Sequence, residues 1–205
     1  MREREAFKYF ITDVSSANPD VLMEQFERYL DALLAANSVV NLVSRKTLPE
    51  EYWTRHFLDS LVPLLWYDFT GATILDFGTG GGLPGIPLKI MHPDAVVYLL
   101  DSRQKKIDAI KKIMKSLDGD ECFTIVSRLE ELGKRWYARF DYIVCRSVKI
   151  EPRYVAPLLN MVKPGGKILL YKSRKLKDCE LFASYKVNHW KHELVGERRI
   201  VEIAK

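Results

Sequence analysis

The sequence predicts an α/β fold: a mostly parallel sheet with an antiparallel C-terminal hairpin, preceded by an N-terminal helical extension. From residue 72 onward, short β-rich runs alternate with helical stretches, the pattern of parallel β-α-β units with right-handed crossovers. The last two β-rich runs are joined by "VGE", which favours an antiparallel pair. Before residue 70, apolar residues recur at helical spacing instead.

The extension, residues 1–70, reads as two helices. Asn18 and Pro19 suit the N-cap and first position of a helix that runs to Asn37. The run "TLPE" (47–50) has the form of a capping box and opens the second helix. The apolar residues Trp53, Phe57 and Leu61 lie on one face of that helix. The polar residues His56, Asp59 and Ser60 share another face.

The second part, residues 71–205, is expected to be one compact domain. Its β-rich runs are "TILDF" (73–77), "VVYLLD" (96–101), "FTIV" (123–126), "YIVCR" (142–146), "KILLYK" (167–172), "VNHWKHEL" (187–194) and "RRIVEIAK" (198–205). Its helical stretches are 84–92, 103–117 and 151–162.

Composition excludes several classes of protein. The chain has 205 residues, 47% of them apolar and 29% charged, as expected for a globular soluble protein. The start "MREREAFKYF" lacks the apolar centre of a signal peptide, and no apolar run approaches the ~20 residues of a membrane span. The three cysteines have no C-x-x-C spacing, which argues against disulfides and zinc. We expect a cytoplasmic protein without a metal.

The positive charge is unevenly placed. The net charge is +5, and residues 163–205 carry 11 Lys/Arg against five Asp/Glu. A second basic cluster covers residues 103–115, where six Lys/Arg face one Asp. Such a cluster is either a solvated helix face or a surface for a polyanion, and charge alone leaves both open.

A glycine-rich turn follows the first β-rich run, in "ILDFGTGGGLPGIP" (74–87). Gly80, Gly82 and Gly85 fit G-x-G-x-x-G, which alone would suggest a dinucleotide. Asp76 precedes them in "DFGTG", a D-x-G-x-G form that resembles the first motif of the Rossmann-like methyltransferases, which bind S-adenosylmethionine (SAM). A carboxylate at this strand end suits a cationic ligand better than a phosphate.

Asp101 ends the second β-rich run, 23 residues after Gly78. An acidic residue there can accept hydrogen bonds from ribose hydroxyls. It therefore supports an adenosine ligand without separating NAD from SAM. Ser102 is expected to cap the helix that follows.

Several stretches together resemble one family. They are "NLVS" (41–44), "RHFLDS" (55–60), "DFGTGGGLPGIPL" (76–88), "LLDS" (99–102), "SRLEE" (127–131) and "CRSV" (145–148). They resemble the bacterial glucose-inhibited division protein B family, SAM-dependent methyltransferases that modify N7 of a guanine in small-subunit ribosomal RNA. The resemblance covers about residues 25 to 175.

The resemblance implies site residues only at matching positions. Gly78, Gly80 and Leu83 would surround the methionine end of SAM, and Leu129 and Glu130 would lie along its adenine. Arg146 would sit where cofactor and substrate meet, with His56 and Asp59 at the mouth of the site. The chain departs from the family at Ser147, where alanine is common.

Other side chains stay open between structure and function. His56 fits either a structural histidine or a positioning residue. Cys145 lacks the preceding proline of cytosine-C5 methyltransferases and is expected to be an inert buried thiol. Lys172 and Arg174 end the fifth run, on the side where ligands bind in open α/β sheets. They are either substrate contacts to RNA phosphates or a solvated basic edge.

No nucleophile, acid–base pair or metal cluster stands out in the sequence, so no catalytic residue is assigned beyond Arg146 and His56 as positioning candidates. Guanine N7 carries a lone pair and no proton, so its methylation needs placement rather than a general base. The partner would be small-subunit ribosomal RNA or the small subunit itself, and we expect a monomer. Two alternatives remain at this point: a small-molecule SAM-dependent methyltransferase and a non-catalytic NAD-binding module.

Overall fold

One seven-stranded sheet forms the centre of the molecule, in a computed structural model that describes residues 2–117, 121–173 and 175–205. Its strands are β1 Thr73–Phe77, β2 Val96–Asp101, β3 Cys122–Val126, β4 Phe140–Arg146, β5 Val162–Lys172, β6 Lys186–His192 and β7 Gly196–Ala204. They lie in the order β3-β2-β1-β4-β5-β7-β6. Every β-rich run of the sequence is therefore a strand of this sheet.

The pairing of the strands confirms the predicted fold class. Strands β1 to β5 pair in parallel, whereas β7 runs antiparallel to both β5 and β6. The chain winds outward from β1 in one direction and from β4 in the other. Ligands of such sheets bind at the carboxyl ends of the strands where the order reverses, which here is between β1 and β4.

Helices cover the sheet and form the extension. They are α1 Arg2–Val14, α2 Pro19–Val39, α3 Asp59–Leu61, α4 Gly85–Met91, α5 Gln104–Ser116 and α6 Pro152–Met161. The three helices predicted between strands are confirmed, and Asn18 caps α2 by accepting from the Asp20 amide. Helix α1 was not predicted. It buries only two apolar residues, Phe7 and Ile11, and its many charged residues leave no clear apolar periodicity.

The stretch between α2 and β1 differs from its prediction. It contains a 3-10 helix at Pro49–Glu51, a π-helix at Trp53–Leu58, the short α3 and a 3-10 helix at Val62–Leu65. The predicted capping box with Thr47 as its first residue is wrong, since the Glu51 carboxylate accepts from the Leu48 amide at 2.9 Å. The apolar face is confirmed: Trp53, Phe57 and Leu61 are all buried.

The extension shares its core with the sheet. Phe7, Phe26 and Phe57 belong to the same apolar cluster as Ile74 and Leu99 of the central strands. Burial of this apolar surface stabilises the contact between the two parts. It also holds the extension against the carboxyl ends of β1 and β4, where the ligand crevice lies.

Candidate active site

Hydrogen bonds to a buried carboxylate fix the conformation of the glycine-rich loop between β1 and α4. Gly78, Gly80 and Gly82 have φ of +75°, +57° and +90°, a region that favours glycine. Asp76 is fully buried, and its Oδ2 accepts from the Thr79 hydroxyl at 2.6 Å and the Gly85 amide at 2.8 Å. Burial raises the pKa of Asp76 to about 6. Asp76, expected to suit a cationic ligand, thus braces the loop and has no exposed surface to offer one.

A cavity of about 550 Å³ lies over this loop. Gly80 and Leu83 line it from the loop, and His56 lines it from the π-helix. Its outer wall is the segment 41–44 of the extension. We call it the loop cavity; it contains the residues predicted to surround the methionine end of the cofactor.

A second cavity, of about 280 Å³, adjoins the first. Leu129 and Glu130 line it together with Tyr154 of α6, so it holds the residues predicted to lie along the adenine. Both cavities share Gly78 and Asp101. We call it the adenine cavity, and the pair forms one elongated site across the carboxyl ends of β1 and β2.

Gly78 lies where the two cavities meet, and no larger residue fits there. A Cβ on Gly78 would lie 2.4 Å from Cγ2 of Val148, a residue that lines both cavities. Only glycine lets the backbone approach this closely. The loop therefore packs directly against the segment that follows β4.

Asp101 occupies the end of β2 beside the loop. Its Oδ2 accepts from the Gly80 amide at 3.3 Å, and its Oδ1 accepts from the Arg103 amide at 2.9 Å. The prediction that Ser102 caps α5 is wrong, because Arg103 is the N-cap residue and makes no side-chain cap. Asp101 therefore links the loop to the start of α5 and lines both cavities.

The extension supplies part of the site that the sequence did not reveal. The Tyr29 hydroxyl of α2 donates to the Gly81 carbonyl at 2.7 Å. The Asn37 Oδ1 accepts from the amides of Leu42 and Val43, at 2.9 and 3.1 Å. These bonds tie the wall segment and the glycine loop to one helix. The "NLVS" stretch was the only sequence signal of this wall.

Arg146 lies at the carboxyl end of β4 and lines two separate openings. Its guanidinium donates to Asp59 Oδ2 at 2.9 Å and to the carbonyl of Arg55 at 3.3 Å. Arg198 of β7 also donates to Asp59, through the other carboxylate oxygen. Arg146 lines both the loop cavity and a cleft of about 850 Å³ on the other side of it. We call the latter the basic cleft.

His56 is a neutral side chain at neutral pH. Burial, followed by the charge of Arg146, lowers the pKa of His56 to about 4. Both ring nitrogens are shielded from solvent. Because the ring carries no charge, it adds no repulsion to the two guanidiniums that share Asp59.

We expect His56 to make the protein sensitive to acid. A histidine whose folded pKa lies below its unfolded value of 6.5 stabilises the fold above pH 6.5 and loses that contribution as pH falls toward 4. Relative to His56→Gln, the wild-type chain should lose up to about 3 kcal/mol of unfolding free energy over that window. Asp76, whose pKa is raised, changes the unfolding free energy with pH in the opposite direction. Because both proteins contain Asp76, its contribution cancels in the comparison. Denaturant unfolding at pH 7 and pH 4.5 measures the difference, and an equal pH response of both proteins would contradict it.

Glu130 is positioned at the rim of the adenine cavity. Its carboxylate lies 3.5 Å from the Arg153 guanidinium, which in turn lies 4.9 Å from the Tyr154 ring centroid. The carboxylate is a quarter exposed, so it remains available to a hydrogen-bond donor in the cavity.

Replacing Glu130 by alanine should weaken binding of SAM by ~1–3 kcal/mol, the cost of losing a hydrogen bond to a charged group. Stability without ligand should barely change, because the pair with Arg153 is partly exposed. Calorimetry and thermal unfolding measure the two quantities. Arg153→Ala is the matched control, since it removes the same ion pair and keeps the acceptor. A sharp loss of stability with intact affinity would make Glu130 a structural residue.

Lys172 differs from both of its sequence interpretations. Its ammonium is 2.5 Å from Asp178 Oδ2, and the side chain is only 10% exposed. The same carboxylate oxygen accepts from the Ile150 amide at 2.9 Å. Lys172 is thus neither a solvated edge nor open to a phosphate in this arrangement. Arg174, the second predicted substrate contact, lies outside the described residues.

Cys145 is 2% exposed, and burial raises the pKa of its thiol well above the usual range. A protonated buried thiol is not a nucleophile. Among the described residues, no three His, Cys, Asp or Glu side chains are grouped as a metal site would require. No helix in the described ranges is long and apolar enough to cross a membrane.

The family assignment follows from comparison with known proteins. The model of the GidB family, described as rRNA small subunit methyltransferase G, matches residues 22–197. The chain belongs to this family. The resemblance to the glucose-inhibited division protein B family is thereby confirmed, and the match spans both the extension and the sheet.

Relatives in this family carry the same name. The chain is 40% identical over 159 residues to ribosomal RNA small subunit methyltransferase G of Lachnoclostridium phytofermentans, covering 76% of this chain and 65% of that protein. It is 37% identical over 165 residues to the protein of that name from Nostoc punctiforme, covering 76% and 66%. The chain thus spans about 65% of the length of these relatives.

Solved structures show the same fold. A SAM-dependent methyltransferase of Aquifex aeolicus has a TM-score of 0.62 at 13% identity, covering 82% of this chain and 97% of that one. The PH0226 protein of Pyrococcus horikoshii has a TM-score of 0.62 at 18% identity, covering 83% and 99%. The predicted Rossmann-like methyltransferase fold is confirmed.

Proposed function

We propose that the chain binds SAM and transfers its methyl group to N7 of a guanine in small-subunit ribosomal RNA. The observation that carries the proposal is the position of Arg146, in the wall common to the loop cavity and the basic cleft. A cofactor on one side and a polyanionic substrate on the other would meet at this residue. Membership of the GidB family supports the same reaction.

The two joined cavities fit SAM by shape and by chemistry. Gly78 at their junction keeps the loop backbone close to Val148, a residue that lines both cavities. Asp101 and Glu130 line the adenine cavity, where they would accept from the ribose hydroxyls and from the adenine amine respectively. Gly80 and Leu83 would enclose the methionine end. When bound, SAM supplies an electrophilic methyl group on a sulfonium.

The residues of this chain would act by positioning. Guanine N7 needs no base to remove a proton, so the rate depends on holding the base in line with the methyl group. A guanidinium can donate to guanine O6 while N7 stays free to react. Arg146 would be this donor, and its hydrogen bond to Asp59 of the extension would fix its orientation. His56 lines the same wall and keeps it free of a further charge.

The partner in this proposal is the small ribosomal subunit or its RNA. In this proposal the reaction takes place in the cytoplasm, where these particles are. The chain acts as a monomer.

Two experiments test the proposal. Calorimetry should show binding of SAM and no comparable binding of NAD; the reverse would indicate an NAD-binding module. Labelled SAM should then transfer its methyl group to small-subunit particles from cells that lack this activity. Transfer to low-molecular-weight extract alone would indicate a small-molecule methyltransferase instead.

A further inference from the structure

The basic cleft is the largest of the three cavities around the site and extends away from the cofactor side. Its volume is about 850 Å³, and it lies beside the carboxyl ends of β4 and β5. Tyr171 and Ser173 line it from β5 and the loop that follows, and Ser147 lines it from the loop after β4. It meets the loop cavity at Arg146 and Ser147.

Basic residues dominate the lining of the cleft. Two acidic residues, Asp59 and Asp178, face six basic ones: Arg146, Lys149, Lys172, Lys175, Lys177 and Arg198. The carboxylates are already engaged. Asp178 pairs with Lys172, and Asp59 pairs with both Arg146 and Arg198.

The remaining charge is exposed and uncompensated. Lys149, Lys175 and Lys177 are exposed, and none forms an ion pair with another residue in the described ranges. A single Asp59 carboxylate also cannot neutralise two guanidiniums, so a surplus positive charge lies at the inner end of the cleft. A concave wall of one sign concentrates counter-ions, here anions.

We propose that the basic cleft binds the sugar-phosphate backbone of single-stranded RNA next to the target base, through Lys149, Lys175 and Lys177. The inference rests on the proposed function, because it takes the RNA as the methyl acceptor. It assigns Lys172, whose ammonium is engaged by Asp178, to the structure of the cleft wall. The backbone of a nucleic acid is a continuous polyanion, and lysines contact it as point charges.

Continuity with the cofactor side favours RNA over an acidic protein. A strand held in the cleft would present a base at Arg146, which also lines the cavity over the glycine loop. An acidic polypeptide would satisfy the lysines but has no base to place at that junction. Unpaired strands can turn a base outward toward such a pocket.

The test measures the salt dependence of RNA binding. The double variant K175A/K177A should bind a labelled single-stranded RNA oligonucleotide roughly 15-fold more weakly at 0.15 M salt, with a slope of log K against log salt reduced by about 1.4. The matched control, K111A/K115A, removes two exposed lysines of α5 that lie outside the cleft. It should leave both quantities unchanged.

Three results would overturn the inference. One is an unchanged slope in K175A/K177A. Another is a reduced slope in K111A/K115A alone, which would move the RNA to the α5 surface. The third is displacement of the RNA by poly-glutamate at equal charge concentration, which would favour an acidic protein.

Failure of the cleft and failure of the proposed function can be told apart. Calorimetric affinity of K175A/K177A for SAM should equal that of the wild-type chain, because neither lysine lines the loop or adenine cavity. Methylation of small-subunit particles by the wild-type chain reports on the proposed function. If the wild-type chain methylates the particles but K175A/K177A keeps the wild-type salt slope of RNA binding, only the RNA site in the basic cleft is rejected. If the wild-type chain does not methylate the particles, the proposed function is rejected.

Discussion

Replacing Gly80 with valine is expected to abolish binding of SAM while the chain stays folded. Gly80 has a φ of +57°, and its Cβ position lies 3.4 Å from the Leu42 carbonyl oxygen. The two branches of valine would therefore extend into the loop cavity or against the wall segment. The left-handed conformation costs an L-residue roughly 1–2 kcal/mol, which most domains tolerate. Calorimetry with SAM measures the loss, and circular dichroism checks the fold.

Gly165→Val is the matched control for this variant. Gly165 also has a positive φ, +78°, and nothing lies within 4 Å of its Cβ position. Its SAM affinity should equal that of the wild-type chain. Unchanged affinity in a folded Gly80→Val variant would reject the assignment of the loop as a cofactor site.

Replacing Arg146 with alanine is expected to reduce methylation of small-subunit particles by roughly 100-fold or more, the usual effect of losing one positioning donor. The fold should survive, because Asp59 keeps its second guanidinium partner, Arg198. Arg146→Lys should recover little of the rate, since an ammonium does not reproduce the guanidinium fork. Single-turnover methylation at saturating SAM measures the effect.

The kinetics of Arg146→Ala separate two roles of the side chain. Contact with the base predicts normal SAM affinity and slow turnover even at saturating SAM. Contact with the cofactor predicts a raised SAM dissociation constant and a turnover that excess SAM partly restores. Full activity of the variant would exclude both roles.

Much of the fold was predictable because its signals are local. Each β-rich run became a strand, and the glycine loop lies between β1 and α4 as its residues indicate. Helix α1 was missed because only Phe7 and Ile11 anchor it, among charged neighbours. The π-helix at Trp53–Leu58 was missed because an α-helical pattern of apolar residues fits both kinds of helix over one turn.

The candidate site residues could be predicted only where they lie at the carboxyl end of a predicted strand. Asp101 and Arg146 end β2 and β4, Gly78 directly follows β1, and all three line the loop cavity at the carboxyl ends of these strands. Pairings between distant segments have no such local signal. The Asp59–Arg198 ion pair joins residues 139 positions apart, and the Tyr29–Gly81 hydrogen bond joins residues 52 apart. Lys172 shows the limit most plainly, since its partner Asp178 lies in a short 3-10 helix, Lys177–Leu181, that no periodic pattern indicates.

Identification of the methylated atom tests methyl transfer to guanine N7 most directly. Small-subunit particles from cells that lack the activity would be incubated with the protein and labelled SAM. The RNA would then be treated with borohydride and aniline, which cleave the strand at N7-methylguanosine. Methyl transfer to guanine N7 predicts one new cleavage site, at a guanine, which disappears with Arg146→Ala. Label incorporated into the RNA without such a cleavage site would contradict methyl transfer to guanine N7.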